Sequence, residues 1–289
     1  MDEETAKTYP VKYQTKESAD LFLVMMTEFL KKNGRAGIVL PDGSLTGDGV
    51  KARIREKLLQ DCRLHTIIRL PNSVFKPYAQ VATNLLFFEK MKNPGDENTE
   101  FATKEIWYYQ HNLPEGAKSY NKTAPIKVEE FEPIKQWWDN RVENELAWRV
   151  DFTKVLEDAK AKAKPHYDNA DKATAEAQKI KQQIANEKGK LKDEGKNGNS
   201  DKEKEKLQKK IAKLETAQAE AETKARIEKQ TAESIYYSAF ELDIKNPHQA
   251  EEESHDPEHL LKKLNKVESE MQALQNELIN ELANAITNK

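Results

Sequence analysis

The chain has 289 residues, of which 37% are hydrophobic and 34% charged, with a net charge of −3. That length suits one or two domains, the low apolar fraction points to extended helix beside a modest core, and the near-neutral balance carries no global nucleic-acid signature. A single cysteine, Cys62, excludes a disulfide framework and a thiolate metal site, and no apolar run is long enough for a membrane span.

Residues 1–14 are polar, without a clear period and without signal or transit character, so the cytoplasm is the default compartment. Ala19, Phe22, Leu23, Met26 and Leu30 follow the i, i+3, i+4 rule and predict an amphipathic helix ending at Asn33-Gly34. Residues 34–90 hold the densest hydrophobic patterning. Arg35–Leu40 and Leu64–Leu70 are short apolar runs closed by Pro41 and Pro71, as buried strands of an α/β sheet are. Between them Val50, Ile54 and Leu58 share one helix face, with Lys51, Arg53, Arg55 and Lys57 around the rest. Val81–Phe88 is a third strand, too apolar for a solvent-facing edge. From Lys31 to Lys90 there are 11 Lys+Arg against 5 Asp+Glu, a balance consistent with phosphate contacts and also with solvated helix faces.

In open α/β sheets ligands bind beyond the carboxyl ends of the strands, so the loops PDGSLTGDG and PNSVFKPYAQ are where function is sought. The first carries Gly43, Gly47 and Gly49 but has neither the P-loop order nor G-x-G-x-x-G. Turn chemistry before a helix capped by Asp48 is favoured over nucleotide binding. The second joins two apolar strands through ten residues, more than a hairpin needs, and carries Phe75 and Tyr78 around Lys76-Pro77. On composition alone Phe75 reads as a core residue tucked under the loop.

Lys104–Asn112 is a further strand. Phe131–Trp148 reads as a helix that crowds Trp137, Trp138 and Trp148 into a packing node. From Phe152 to Ser234 alanine, lysine, glutamate and glutamine dominate. Ala173, Ala177, Ile180, Ile184 and Leu191, then Leu207, Ile211, Leu214, Ala221 and Ala225, fall on steps of three and four either side of the turn cluster 194–201. Residues 151–236 therefore predict an antiparallel coiled-coil hairpin with a thin alanine seam, its arms on the order of 45 Å long. Asp256-Pro257 opens a last helix whose stripe from Leu260 to Leu282 calls for a covering surface, the hairpin base or another subunit. His255 and His259 are four apart, but the helix begins between them, and no metal site is expected. No Ser/His/Asp order supports a hydrolase.

GRAGIVLPDGSL, LHTIIRLPNSVFKPY and VATNLLFFEK, in this order and spacing, resemble the modification subunit of type I restriction–modification systems. That family comprises DNA adenine-N6 methyltransferases using S-adenosylmethionine. ADLFLV (19–24), EIWYYQHNLPEGAKSYNKT (105–123), FEPIKQWW (131–138) and ELDIKNPH (241–248) extend the resemblance to about residues 16–148 and 240–289. The family's Asn-Pro-Pro-Phe/Tyr tetrapeptide and glycine-rich cofactor loop lie upstream of the ADLFLV helix, and neither occurs in this sequence.

The resemblance thus implies an α/β fold: residues 1–150 as the C-terminal half of a Rossmann-like methyltransferase sheet, 151–236 as an inserted coiled-coil hairpin, and 237–289 as a tail for subunit docking. It implies that Phe75, with Tyr78 second, stacks on an extruded adenine and that Lys76 holds a phosphate, with Asp42 and Ser44 as pocket-loop candidates. No catalytic residue is expected in this chain. S-adenosylmethionine belongs to the intact subunit and is not expected on this chain alone. DNA, a specificity subunit, a second modification subunit and a restriction subunit are the implied partners, without a membrane. The alternative is a non-enzymatic coiled-coil interaction or assembly protein built on a methyltransferase remnant.

Overall fold

The computed structural model describes residues 7–249 except 94, 95, 97 and 197–200, together with Leu264 and Met271. Residues up to Asn246 form one compact unit, to which the following description is confined. The predicted stripe of the last helix lies outside the described residues except for Leu264 and Met271, which are helical and more than half exposed.

Among the described residues five strands form one sheet: β1 (Arg35–Pro41), β2 (Cys62–Leu70), β3 (Thr83–Lys90), β4 (Glu105–Gln110) and β5 (Ala147–Asp151), in the order β1-β3-β2-β4-β5. Strand β3 runs antiparallel between β1 and β2, β4 lies parallel to β2, and β5 closes that edge antiparallel. The sheet is mixed, with one parallel pair. Apolar residues alternate across it, as a pleated strand requires. Leu86, Phe88, Ile106, Tyr108 and Trp148 join the larger core on one face. Leu85, Phe87, Trp107 and Tyr109 face the smaller cluster on the other.

The larger core is covered by α1 (Ser18–Phe29) and α3 (Val50–Asp61), which contribute Leu23, Val24, Ile54, Leu58 and Leu59. Helix α1 keeps part of its predicted face: Leu23 is buried and Ala19, Met26 and Leu30 pack against the larger core, whereas Phe22 is exposed and Leu21, Val24 and Thr27 are buried instead. It stops at Phe29, before a turn in which Asn33 takes a positive φ. Gly49, at φ 68°, is the N-cap of α3, with no side-chain cap, so Asp48 does not cap it. The short helix α2 (Asp42–Leu45) takes up the residues before it.

The smaller cluster is covered by α4 (Glu132–Asp139), whose Ile134 and Trp137 are buried. This helix is shorter than predicted. Asn140 leaves the helical region, and the Asn144 side chain accepts the N–H groups of Leu146 and Ala147, turning the chain into β5. Trp148 is therefore a strand residue stacked on Tyr108, with centroids 5.2 Å apart, on the face of the sheet opposite Trp137 and Trp138.

Two long helices follow, α5 (Phe152–Lys196) and α6 (Asp201–Ser238). They pack antiparallel: His166 meets Glu228 at 2.7 Å, Lys188 meets Glu215 at 2.7 Å, and Glu187 meets Lys210 at 2.9 Å. Ala163, Ala170, Ala177 and Ile184, each seven residues apart, are buried in α5 and face a seam holding Ile211, Ala221 and Ala232. Alanine buries little area per layer, so the outer pair adds little to the sheet's stability. Its base is different. Phe152, Leu156 and Ala159 at one end, and Tyr236, Tyr237, Ala239 and Phe240 at the other, pack into or against the larger core. Replacing residues 170–224 by a short Gly/Ser linker is accordingly expected to preserve the near-ultraviolet circular dichroism of the sheet aromatics and a cooperative melt. Loss of that cooperativity would make the whole pair integral to the fold.

Candidate functional site

Strands β1 and β2 end, and β3 begins, at one edge of the sheet, where Pro41 and Leu70 both lie opposite Thr83. Strand β4 ends there too, with Gln110 beside Arg69. The edge therefore gathers the segments 42–49, 71–82, 111–130 and 240–246.

The first segment is closed from within. Arg55 of α3, 2% exposed, donates to the carbonyls of Thr46 (2.6 Å), Gly47 (2.6 Å), Ser44 (3.2 Å) and Phe240 (2.5 Å). Burial pulls its pKa down, while Glu241, Asp20 and Asp48 oppose the shift. Lys51 pairs with buried Asp20 at 3.0 Å and donates to the Gly43 carbonyl at 2.8 Å. Of the two predicted pocket residues, Ser44 is buried, and Asp42 accepts a hydrogen bond from the Asn84 amide at 2.6 Å. Asn84 is 1% exposed, and its Oδ1, like the Thr83 Oγ1 beside it, has no hydrogen-bond partner among the described residues. A buried acceptor left unpaired costs about 1–3 kcal/mol, so a polar partner at this point of the edge would be favourable.

The second segment displays its aromatics. Val74 packs against the smaller core and Ser73 is buried, whereas Phe75 is 42% and Tyr78 88% exposed. Val74, not Phe75, fills the place under the loop that composition alone gave to the phenylalanine. Lys76, part-exposed, lies between the two rings in sequence. Local turns fix the backbone: Lys76 N–H donates to Ser73 at 3.1 Å, and the N–H groups of Tyr78 and Ala79 donate to the Phe75 carbonyl at 2.9 and 3.0 Å.

The third segment braces the second. The Tyr120 backbone N–H donates to Ser73 Oγ at 3.0 Å, and its hydroxyl donates to the Glu130 carboxylate. His111 Nε2 lies 3.0 Å from the same hydroxyl, so the imidazole carries its proton there and donates to Tyr120. Its ring stacks on Phe131. Burial lowers the His111 pKa against the pull of Glu130, and burial and then Glu130 raise that of the Tyr120 phenol. Burial opposes the downward shift of Glu130, but the Tyr120 hydroxyl and the Lys127 N–H outweigh it.

The two depressed groups act in the same direction. An unfolded histidine takes up protons below its ordinary pKa of about 6.5, and an unfolded glutamate below about 4.3, before their folded counterparts do. Their stabilisation is complete above those values and is lost as pH falls through the folded pKa values. Tyr120→Phe is expected to flatten this acid dependence. It should also lower hydrogen-exchange protection at residue 120 by about tenfold, the equivalent of one hydrogen bond to a charged group. Unchanged protection would mean that the hydroxyl does not brace the loop.

The fourth segment is clamped by β2 and β4. Arg69 pairs with the Asp243 carboxylate and donates to the Ile244 carbonyl at 2.8 Å, and the Tyr108 hydroxyl donates to Leu242 at 3.2 Å. Arg55, Arg69, Asn84 and the His111–Tyr120–Glu130 chain were not singled out from sequence. Only Asn84 left a local signal, as the polar residue interrupting an apolar strand. Among the described residues no cluster of histidine, cysteine, aspartate and glutamate could hold a metal ion, and no helix is long and apolar enough to cross a membrane.

The N-6 DNA methylase family profile matches residues 2–177. The chain is 46% identical over 157 residues to the methylase subunit of the type I restriction enzyme EcoEI of Escherichia coli, covering 52% of this chain and 30% of that subunit. To the EcoKI methylase subunit of Escherichia coli K12 it is 34% identical over 148 residues, covering 47% and 26%. The chain thus matches about 30% or less of the length of these relatives. A structure solved for the assembly and conformational transition of a type I R-M system is similar in fold, with a TM-score of 0.51 at 22% identity, over 98% of this chain and 43% of that one.

Proposed function

The chain belongs to the N-6 DNA methylase family, and on that premise we propose that it is the C-terminal portion of the methylation subunit of a type I restriction–modification enzyme. The intact subunit would transfer a methyl group from S-adenosylmethionine to adenine N6 in DNA. The observation that carries this reading is the loop after β2, which is anchored by Ser73 and Val74 and presents Phe75 and Tyr78 to solvent at the carboxyl edge. A base inside a duplex must be extruded before its amine can react, and an extruded base needs an aromatic face and a cation near its backbone. Phe75 supplies the face, Tyr78 a second one, and Lys76 the cation. Asp42 and Ser44 are the weaker pocket-loop candidates in this reading, with Asn84 bonded to Asp42.

The residues present do not fit the cofactor. The glycine-containing loop turns the carbonyls of Ser44, Thr46 and Gly47 onto Arg55, which closes it from within. Stacking orients a base without activating its nitrogen, which needs acceptors aimed at the amine as positive charge develops. In this reading the mixed sheet is the far half of a Rossmann-like domain, 151–236 an inserted coiled-coil hairpin, and 237–289 the segment that meets the specificity subunit. A second modification subunit and a restriction subunit complete the assembly.

The closed loop also favours a second reading, a non-catalytic assembly protein. The two separate by experiment. Under the first, the chain alone gives no methyl transfer and no calorimetric binding of S-adenosylmethionine tighter than about millimolar, yet binds a duplex with a mismatched adenine in a salt-dependent way that Lys76→Glu abolishes. An absence of DNA binding would favour the assembly protein. Micromolar cofactor binding would overturn the account of the loop.

A further inference from the structure

On the α4 face, at the amino ends of β2 and β4 and therefore away from the base-facing loop, lies a cleft of about 390 Å³ lined by Arg63, His65, Lys104, Glu105, Trp107 and Arg141. We propose that this cleft binds a phosphate group.

Its charges are unbalanced. Arg63 is paired with Glu89 at 2.6 Å, and Glu105 with Arg149 at 3.2 Å. Among the described residues neither Arg141 nor Lys104 has a carboxylate within ion-pair distance. Arg141 is nevertheless held in place. It lies over the Trp138 ring at 4.9 Å, its Nε donates to the Trp138 carbonyl at 3.2 Å, and its terminal nitrogens reach the His65 carbonyl at 3.2 Å and His65 Nδ1 at 3.3 Å. Glu89 neutralises Arg63 and Glu105 acts on Arg141 only at a distance, so a further anion between the two guanidiniums would be favourable. Burial and then Arg63 act against the charge of Arg141, and they outweigh the opposing pull of Glu105 and Asp139.

His65 completes the donor set. Its Nδ1 faces the Thr66 hydroxyl at 2.8 Å and the Arg141 guanidinium, which can only donate, so Nδ1 is the acceptor and Nε2 carries the proton. Burial with the two arginines, against Glu89, brings its pKa down to about 4. At neutral pH it is therefore an uncharged donor. Two forked guanidiniums, an ammonium and an imidazole N–H, supplied by β2, the residue before β4 and the segment after α4, suit a tetrahedral oxyanion better than a planar carboxylate, which one fork satisfies. The phosphate could belong to a nucleotide monoester or to a polynucleotide backbone diester. The cleft needs neither the methylase reading nor the loop at the far edge.

The test follows the indole N–H signals of Trp107 and Trp138 in the full chain by heteronuclear NMR, at neutral pH and ionic strength matched with chloride. The probes are inorganic phosphate, adenosine 5′-monophosphate and a dinucleoside phosphate without terminal phosphates. Saturable shifts confined to these indoles are expected, with binding weakened about tenfold or more by Lys104→Gln and by Arg141→Lys, which keeps the charge and loses the fork. Both variants are first checked for an unchanged melt, and Lys104, being exposed, keeps the test valid if Arg141→Lys unfolds. Binding of the monoesters alone assigns the site to a free nucleotide or phosphate, and binding of the diester assigns it to a polynucleotide. No saturation by about 10 mM of any probe, or equal binding by folded Lys104→Gln, overturns the proposal.

Discussion

Arg55→Met is expected to destabilise the fold by about 3–5 kcal/mol, since carbonyls left unpaired cost about 1–3 kcal/mol each and the relief of burying the guanidinium offsets part of the sum. Four backbone carbonyls lose their donor at once: Ser44, Thr46 and Gly47 in the loop after β1, and Phe240 from a segment 185 residues away in sequence. Methionine fills much of the volume, so the loss is chiefly one of hydrogen bonding. At about 2–4 °C per kcal/mol for a unit of this size, the melting temperature should fall by roughly 6–20 °C. Arg55→Lys should rescue little, because one ammonium cannot reach carbonyls spread around a planar fork. Calorimetry reads the outcome directly. A fall of only a degree or two would show that the loop and the returning segment hold without the guanidinium.

Phe75→Ala, introduced into an intact subunit, is expected to lower adenine methylation by about 1–3 kcal/mol of transition-state free energy, or roughly 5- to 150-fold, the cost of losing one base–aromatic stack. The fold should be nearly indifferent, because Phe75 is 42% exposed. Val74→Ala provides the contrast. It removes a side chain packed against the smaller core and should cost stability with less effect on methylation at saturating DNA. Equal methylation by Phe75→Ala, or a melt as depressed as a core deletion, would remove Phe75 from the base pocket.

Strands β1, β2 and β3 and helix α3 were legible in the sequence because their apolar residues repeat at the period of the element and glycine or proline punctuates them. The paired long helices were legible for the same reason, down to buried Ala173, Ala177 and Ile184. The segment 131–148 was misread as one helix because its break is made by Asn140 and Asn144, whose effect depends on side-chain hydrogen bonds that a hydropathy pattern does not carry. With the break in place, Trp148 goes to the opposite face of the sheet from Trp137.

Arg55 shows a different limit. On a helix already carrying Lys51, Arg53 and Lys57 it looked like one more solvated cation. Its burial depends on a carbonyl supplied by Phe240, a pairing with no local trace. The aromatic loop illustrates both cases. Its length and its Phe, Lys and Tyr were visible in the sequence. That Val74 rather than Phe75 would fill the core beneath it required the register of β2 and the brace from Tyr120.

The central claim, that the loop after β2 receives an extruded base, is tested most directly by photocrosslinking. A duplex carrying 5-iodouracil in place of the target adenine is bound to an intact subunit containing this chain, irradiated, and mapped by mass spectrometry. The account predicts a crosslink on Phe75, shifting to Tyr78 or vanishing in Phe75→Ala. A crosslink confined to residues outside 71–82, with the Phe75 peptide unmodified, would contradict it.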